Sequence, residues 1–169
     1  MKKKREIRRK RLKLRMKEKI KGILAGIALR IIALFTLGQI SPILSACVII
    51  ERDGKFLLIE RSDGLGYTIP GGIVRYRETV EHCVLREAQE ETGYVVSITG
   101  FVGVYSALKR DPRFRAVSLA YRGEIIGGTQ HSSGEGEACW REPGEVFGHM
   151  AFDCEKMLKD YLNNSLNLS

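Results

Sequence analysis

The hydrophobic and polar positions divide this chain into an arm and a folded body. Lys2 to Lys21 is basic with helix-forming composition, and Gly22 to Ile40 continues as an apolar run broken by Arg30. Ser41-Pro42 ends this arm, so residues 1–42 form one unit and 43–169 another. Ala46 to Glu51 and Lys55 to Arg61 are β-branched, apolar runs meeting at Asp53-Gly54, which predicts two strands and a tight hairpin. Ser62 to Tyr67 is a loop, and Ile69-Pro70-Gly71-Gly72 leads into the next element. From Thr79 to Thr92 the pattern is helical, with Thr79 as N-cap, Glu81 in the first turn and Gly93 as the left-handed stop. Val95 to Tyr105 and Arg115 to Tyr121 read as strands around the loop Lys109 to Arg113. A Gly and Ser-rich loop spans Gly127 to Gly136, Ala138-Cys139-Trp140 is a short strand, and Asp153 to Leu162 is a C-terminal amphipathic helix. No internal repeat is present.

The central helix carries the chemistry. At about 100° per residue, Val80, Cys83, Val84 and Ala88 share the side that packs on a sheet. Glu87 and Glu91 fall inside that arc and Glu90 at its edge. Carboxylates one turn apart repel by roughly 3 kcal/mol per pair at about 6 Å and an effective dielectric near 20, and burial adds a desolvation cost. A cation must therefore sit against them. Arg86 reaches Glu90 at the (i, i+4) spacing but neutralises only part of the cluster. All-oxygen ligation by Glu87, Glu90 and Glu91 suits Mg²⁺ or Mn²⁺ better than a soft metal. A lone Glu-rich amphipathic helix would simply solvate its acids; the residues around this one change that reading.

Gly72, Glu78, Arg86, Glu87, Ala88, Glu90, Glu91, Gly93 and Tyr94 together fit the pattern GX5EX7REUXEEXGU, where U is a bulky apolar residue. The segment resembles the signature of the Nudix hydrolases, with every defining position filled. The resemblance implies an α/β fold, a Nudix α/β/α sandwich with a mixed sheet, preceded here by the basic and apolar N-terminal helix. It implies cleavage of a nucleoside diphosphate linked to X by water, with Mg²⁺ (or Mn²⁺) held by Glu87, Glu90, Glu91 and the Gly71 carbonyl. Arg86 would orient the carboxylates, and Glu78 would steady the turn into the helix. Candidates to take the water proton are Glu87 and Glu91 in the signature, or a later-loop glutamate, Glu135 or Glu137, as in the family's ADP-ribose enzymes.

Tyr105-Ser106, Arg110-Asp111-Pro112-Arg113 and Val117-Ser118 look like the ADP-ribose subgroup of that family, whose reaction gives AMP and ribose 5-phosphate. This chain departs from it at Ala107-Leu108 and at Cys154, where a His is usual. Arg61, Arg110 and Arg113 are the candidate substrate contacts, with a solvated turn as the plain alternative for the loop. Trp140 reads as core. A (d)NTP or oxidised-nucleotide pyrophosphohydrolase, or a non-catalytic ligand sensor, remains the alternative function.

Charge alters the picture of the arm. The chain carries +8 overall, but residues 1–21 hold thirteen Lys and Arg against two Glu, a net +11, which leaves −3 for the rest. The high pI belongs to the arm, and the body is mildly acidic. An interfacial helix on anionic lipid is the favoured reading, which places the protein in the cytoplasm, peripheral on the inner face of the membrane. A spanning helix would carry Arg30 at its centre, at a cost of about 2.5 to 3.5 kcal/mol, and would export the body from the nucleotide-containing compartment. Leu44-Ser45-Ala46-Cys47 resembles a lipoprotein cleavage site but falls inside the first strand. No aromatic residues interleave the basic run, so any nucleic-acid contact would be non-specific and salt-sensitive. The apolar half could also cap the body or join two copies as a homodimer. Cys47, Cys83, Cys139 and Cys154 have no metal-binding spacing and read as reduced thiols.

Overall fold

A computed structural model describes residues 42–166 and, within the arm, positions 13, 16–17, 20–24, 26–28, 31–32 and 34–35. The expectations for the other arm residues lie outside the described residues. Seven strands follow the arm: β1 (Ile43–Arg52), β2 (Lys55–Arg61), β3 (Tyr67–Thr68), β4 (Gly71–Ile73), β5 (Tyr94–Tyr105), β6 (Ala116–Gly128) and β7 (Gly136–Arg141). The helices are α1 (Val80–Thr92), the single turn α2 (Pro143–Val146) and α3 (Cys154–Leu166).

The strands run β3-β2-β1-β6-β5, with β4 added against β1 and β7 against β2. Only β1 and β6 pair in parallel among the named strands, so the sheet is mixed as expected. The β1-β2 hairpin turns at Asp53 (φ 53°) and Gly54 (φ 74°), the two positive φ values that match the right-handed twist of its strands. Strand alternation then builds two cores. Ala46, Val48, Ile50 and Leu57 face α1 with Cys83, Val84 and Ala88. Cys47, Ile49, Phe56 and Leu58 face α3 with Met157, Leu158 and Tyr161. The sheet thus lies between two helices, and β1 is buried on both faces, as its unbroken apolar run requires.

Several boundaries differ from the sequence reading. β1 begins at Ile43 rather than Ala46, because pairing with β4 and β6 satisfies its first residues. β6 continues to Gly128, through seven residues expected to be loop or left unassigned, because β5 supplies a partner along almost its full length. β4 has no sequence signal of its own and is a three-residue strand defined by its partner β1, whereas α2, which the sequence reading passed over, carries Pro143 at its first position and a capping box between Glu142 and Glu145. Trp140 packs against the core on the α1 side, with the Arg52 guanidinium 5.1 Å from its ring centre.

The described arm positions are helical, and no described helix is long and apolar enough to cross a membrane. Leu44 to Cys47 lies within β1, with Cys47 buried. On the arm helix, Met16, Ile20, Ile23, Leu24, Ile27, Ile31 and Leu34 recur at helical spacing and are all exposed. Gly22 and Gly26 occupy the opposite side. Gly26 is buried against the 109–115 loop, where a Cβ would come 2.6 Å from the Arg113 carbonyl oxygen.

Candidate active site

Helix α1 is set by its ends. The Thr79 hydroxyl accepts from the His82 N–H at 3.1 Å, and Gly93 takes φ 79° while donating to the Gln89 carbonyl. With both ends fixed, Glu87 and Glu91 point at the β4 strand. The Gly71 N–H donates to Glu91 Oε2 at 2.8 Å, and a Cβ on Gly72 would collide with the Glu87 carboxylate. Glycine at position 72 is therefore what lets a charged side chain lie against the backbone.

Glu91 is only 6% exposed, and burial pushes its carboxyl up to about 8; the negative charges of Glu135 and Glu87 act in the same direction. Burial also raises Glu87, while a 2.7 Å ion pair from Arg86 opposes the shift. Arg86 ties the cluster together. Its Nε and Nη2 donate to Glu78 at 2.6 and 2.9 Å, and its Nη1 donates to Glu87 and, at 3.1 Å, to Glu90. The bidentate hydrogen bonds from Arg86 hold the Glu78 carboxyl well below the usual range. Glu78 also accepts from the Arg75 N–H at 3.0 Å and so braces the turn into the helix.

A cavity of about 520 Å³ opens beside these acids. Its lining includes Glu87, Glu91, Glu135 and Gly71 together with Arg61, Arg110, Asp111, Arg113, Phe114 and Phe152, and Arg61 lies beside the acids through the pairing of β2 with β7 at Gly136. Of the sequence-derived candidates, Glu90 stands half-exposed outside the lining, 3.5 Å from Arg75. Glu137 is exposed on β7, in register with Glu60 of β2, and is not part of the lining either. All three arginines line the same cavity, although Arg61 lies some fifty residues before the other two.

Several lining residues escaped sequence reasoning. Phe152 has φ 58°, an uncommon conformation for a bulky side chain, and its ring lies 5.2 Å from the Arg61 guanidinium carbon and 4.9 Å from that of Arg113. Ser45 and Ser118 pair hydroxyl to hydroxyl on the wall through the parallel β1-β6 register. Arg75, hidden among the variable positions of the signature, also lines the cavity. Of these, Ser118 carried a signal as part of Val117-Ser118, and Phe152 as the residue that opens the Phe152-Asp153 pair before Cys154.

The donor set fits a hard divalent cation. Glu87, Glu91 and Glu135 bring oxygen donors into one cavity, close enough for the charges of Glu87 and Glu135 to act on Glu91, and the Gly71 backbone adjoins Glu91. Among the described residues, no three His, Cys, Asp or Glu side chains are gathered closely enough to form a closed ligand set, and Arg86 bridges Glu87 and Glu90.

The Nudix domain family model matches residues 42–161. The chain is a member of the Nudix hydrolase family. This Nudix hydrolase is 36% identical over 124 residues to an ADP-ribose pyrophosphatase of Methanocaldococcus jannaschii, covering 72% of this chain and 73% of the relative. It is 27% identical over 124 residues to a putative 8-oxo-dGTP diphosphatase of Bacillus subtilis, covering 72% and 80% respectively. In fold it is similar to a Nudix hydrolase of Nitrosomonas europaea, with a TM-score of 0.66 at 20% identity, across 73% of this chain and 90% of that one.

Proposed function

We propose that this Nudix hydrolase is a Mg²⁺-dependent diphosphatase that converts ADP-ribose and water to AMP and ribose 5-phosphate. The observation that carries the reading is one cavity lined both by the acids Glu87, Glu91 and Glu135 and by Arg61, Arg110, Arg113 and the Phe152 ring. The archaeal ADP-ribose pyrophosphatase, at 36% identity, adds support for the substrate.

Glu87, Glu90, Glu91 and the Gly71 carbonyl would hold Mg²⁺ or Mn²⁺. The ion supplies positive charge beside the diphosphate oxygens and makes water more acidic. Arg86 keeps Glu87 and Glu90 in position, and the Gly71 N–H does the same for Glu91. Arg75, an exposed side chain of the same lining, would donate to a phosphate oxygen. Glu135 takes the proton from the attacking water, since it shares the cavity with Glu87 and Glu91 and Glu137 does not. Glu135→Gln should lower kcat by about two orders of magnitude or more, and Glu137→Gln by less than about threefold. Equal effects of the two substitutions on AMP release would remove Glu135 from that role.

Incubation with ADP-ribose, with and without Mg²⁺, tests the main reading by the appearance of AMP. The B. subtilis relative favours a second one, hydrolysis of an oxidised dGTP. Release of the oxidised dGMP with ADP-ribose left intact would establish it instead.

We also infer that the arm rests on an anionic membrane from the cytoplasmic side. Its +11 charge over residues 1–21 and its exposed Ile20, Ile23, Leu24, Ile27 and Ile31 support this. The full chain should sediment with phosphatidylglycerol vesicles and be released at high salt, while the chain lacking residues 1–40 should stay in solution. Equal sedimentation of both forms would refute it.

A further inference from the structure

The 109–115 loop supplies Arg110, Asp111, Arg113 and Phe114 to the cavity, and the body holds it near both ends. Arg110 Nε and Nη2 donate to Asp153 at 2.8 and 2.7 Å, and the Ile43 N–H of β1 donates to the Arg115 carbonyl at 2.9 Å. Between these ends Arg113 reaches the cavity. Its Nη2 donates to Asp111 at 2.7 Å, and the Phe114 and Phe152 rings lie 5.1 and 4.9 Å from its guanidinium carbon.

The main chain of the same residue meets the arm. Gly22 and Gly26, about one helical turn apart, both face Arg113. At Gly26, which is buried, a Cβ would lie 2.6 Å from the Arg113 carbonyl oxygen and 3.5 Å from its Cα; at Gly22 it would lie 3.6 Å from the Arg113 Cδ. The first distance is closer than carbon and oxygen can pack, and the last is an ordinary contact. Only position 26 therefore requires glycine. Glycine inside a helix is otherwise unfavourable, because it gives up more backbone freedom than alanine. The basic run and the exposed apolar row suit the arm to a lipid surface, but neither calls for a glycine turned toward the body. That row lies on the other side of the helix, so the arm can hold the loop and lie on lipid at once.

We propose that the arm helix is part of the substrate site: Gly26 lets it seat on the main chain of Arg113, and the seated helix fixes where the Arg113 guanidinium stands in the cavity. Gly26 is thus a positioning residue that acts on the substrate through Arg113. The inference rests on the diphosphatase reading for its substrate and goes beyond it, since a segment outside the Nudix domain completes the site.

Full-length variants test it. Leucine favours helix more than glycine does, so Gly26→Leu keeps the arm helical and removes only its seat. With Mg²⁺ it should raise KM for ADP-ribose about fivefold or more while kcat stays within about twofold of wild type, and Gly26→Ala should act in the same direction. Gly22→Ala, which strengthens the helix equally but meets an ordinary contact, should leave both constants unchanged. Hydrogen exchange of the 110–115 amides, read without substrate, should quicken at least about threefold in Gly26→Leu and not in Gly22→Ala. Wild-type exchange in Gly26→Leu overturns the seating. Faster exchange with an unchanged KM overturns the positioning role. Should wild-type protein form no AMP from ADP-ribose, the hydrolytic reading fails alone, and equilibrium binding of ADP-ribose in EDTA takes the place of KM: weaker binding in Gly26→Leu upholds the inference and equal binding overturns it.

Discussion

Replacing Glu91 with Gln is expected to remove activity and to stabilise the metal-free protein. The wild-type carboxyl sits at about 8 in the fold, chiefly through burial, against an ordinary value of 4.5. Below pH 4.5 the group is protonated whether the chain is folded or not, and it costs nothing. As pH rises from there to 8, the unfolded chain releases the proton while the folded chain retains it, so stability falls; above about 8 the penalty is complete. With one pKa unit worth about 1.4 kcal/mol, and a generous allowance for relaxation of the site, the penalty is on the order of 2 to 4 kcal/mol. Gln is neutral at every pH and its amide oxygen can still accept from the Gly71 N–H. In EDTA at pH 8.5 Glu91→Gln should therefore melt several degrees above wild type, and at pH 4.5 the two should nearly coincide. AMP release should fall by about two orders of magnitude or more, because an ionised ligand has been lost. Mg²⁺ should raise the melting temperature of the wild type more at pH 8.5 than at pH 6, since it competes with the proton on Glu91. A variant that melts no higher than wild type at pH 8.5, or one with near-normal turnover, would contradict this account of the site.

Arg86→Gln should act in the opposite direction on stability. Its guanidinium binds Glu78, Glu87 and Glu90 at once, so removing it leaves three mutually repelling carboxylates, one just before α1 and two in its C-terminal half. A deeply buried ion pair broken on one side costs about 3 to 5 kcal/mol. Here the side chain is 11% exposed, but it is covered chiefly by the acids it binds, in a shallow shell of protein where solvent screens part of the repulsion. A loss of about 1 to 3 kcal/mol is the expected result in urea unfolding without metal. Millimolar Mn²⁺ should restore much of it by replacing the missing positive charge, whereas kcat should stay at least about tenfold down because the carboxylates are no longer aligned. An equal loss of stability with and without Mn²⁺ would mean that Arg86 serves the fold and not the metal-binding acids.

Much of this was legible in the chain because it is local. The α1 caps, the Asp53-Gly54 turn and the alternation of β1 depend on neighbours a few residues away, and the structure places them as read. Glu87 and Glu91 could be assigned to the packed face of α1 from helical spacing alone, and the crowding of like charge there already called for a cation. The signature named the family, and the family model agrees.

What lay beyond reach depends on partners distant in sequence. β4 exists through β1, and the last residues of β6 are strand through β5. Which later glutamate approaches the acids followed from the entry of the chain into β7, where Glu135 ends the loop at the cavity and Glu137 joins the ladder to β2. The arginines were visible, but their charge balance was not: Arg61 and Arg113 are paired two residues away, a spacing with no reliable signal, and Arg110 reaches 43 residues to Asp153. Periodicity tells which side of an element is buried. Only the closing of the sheet and loops around one cavity determines which buried charges meet.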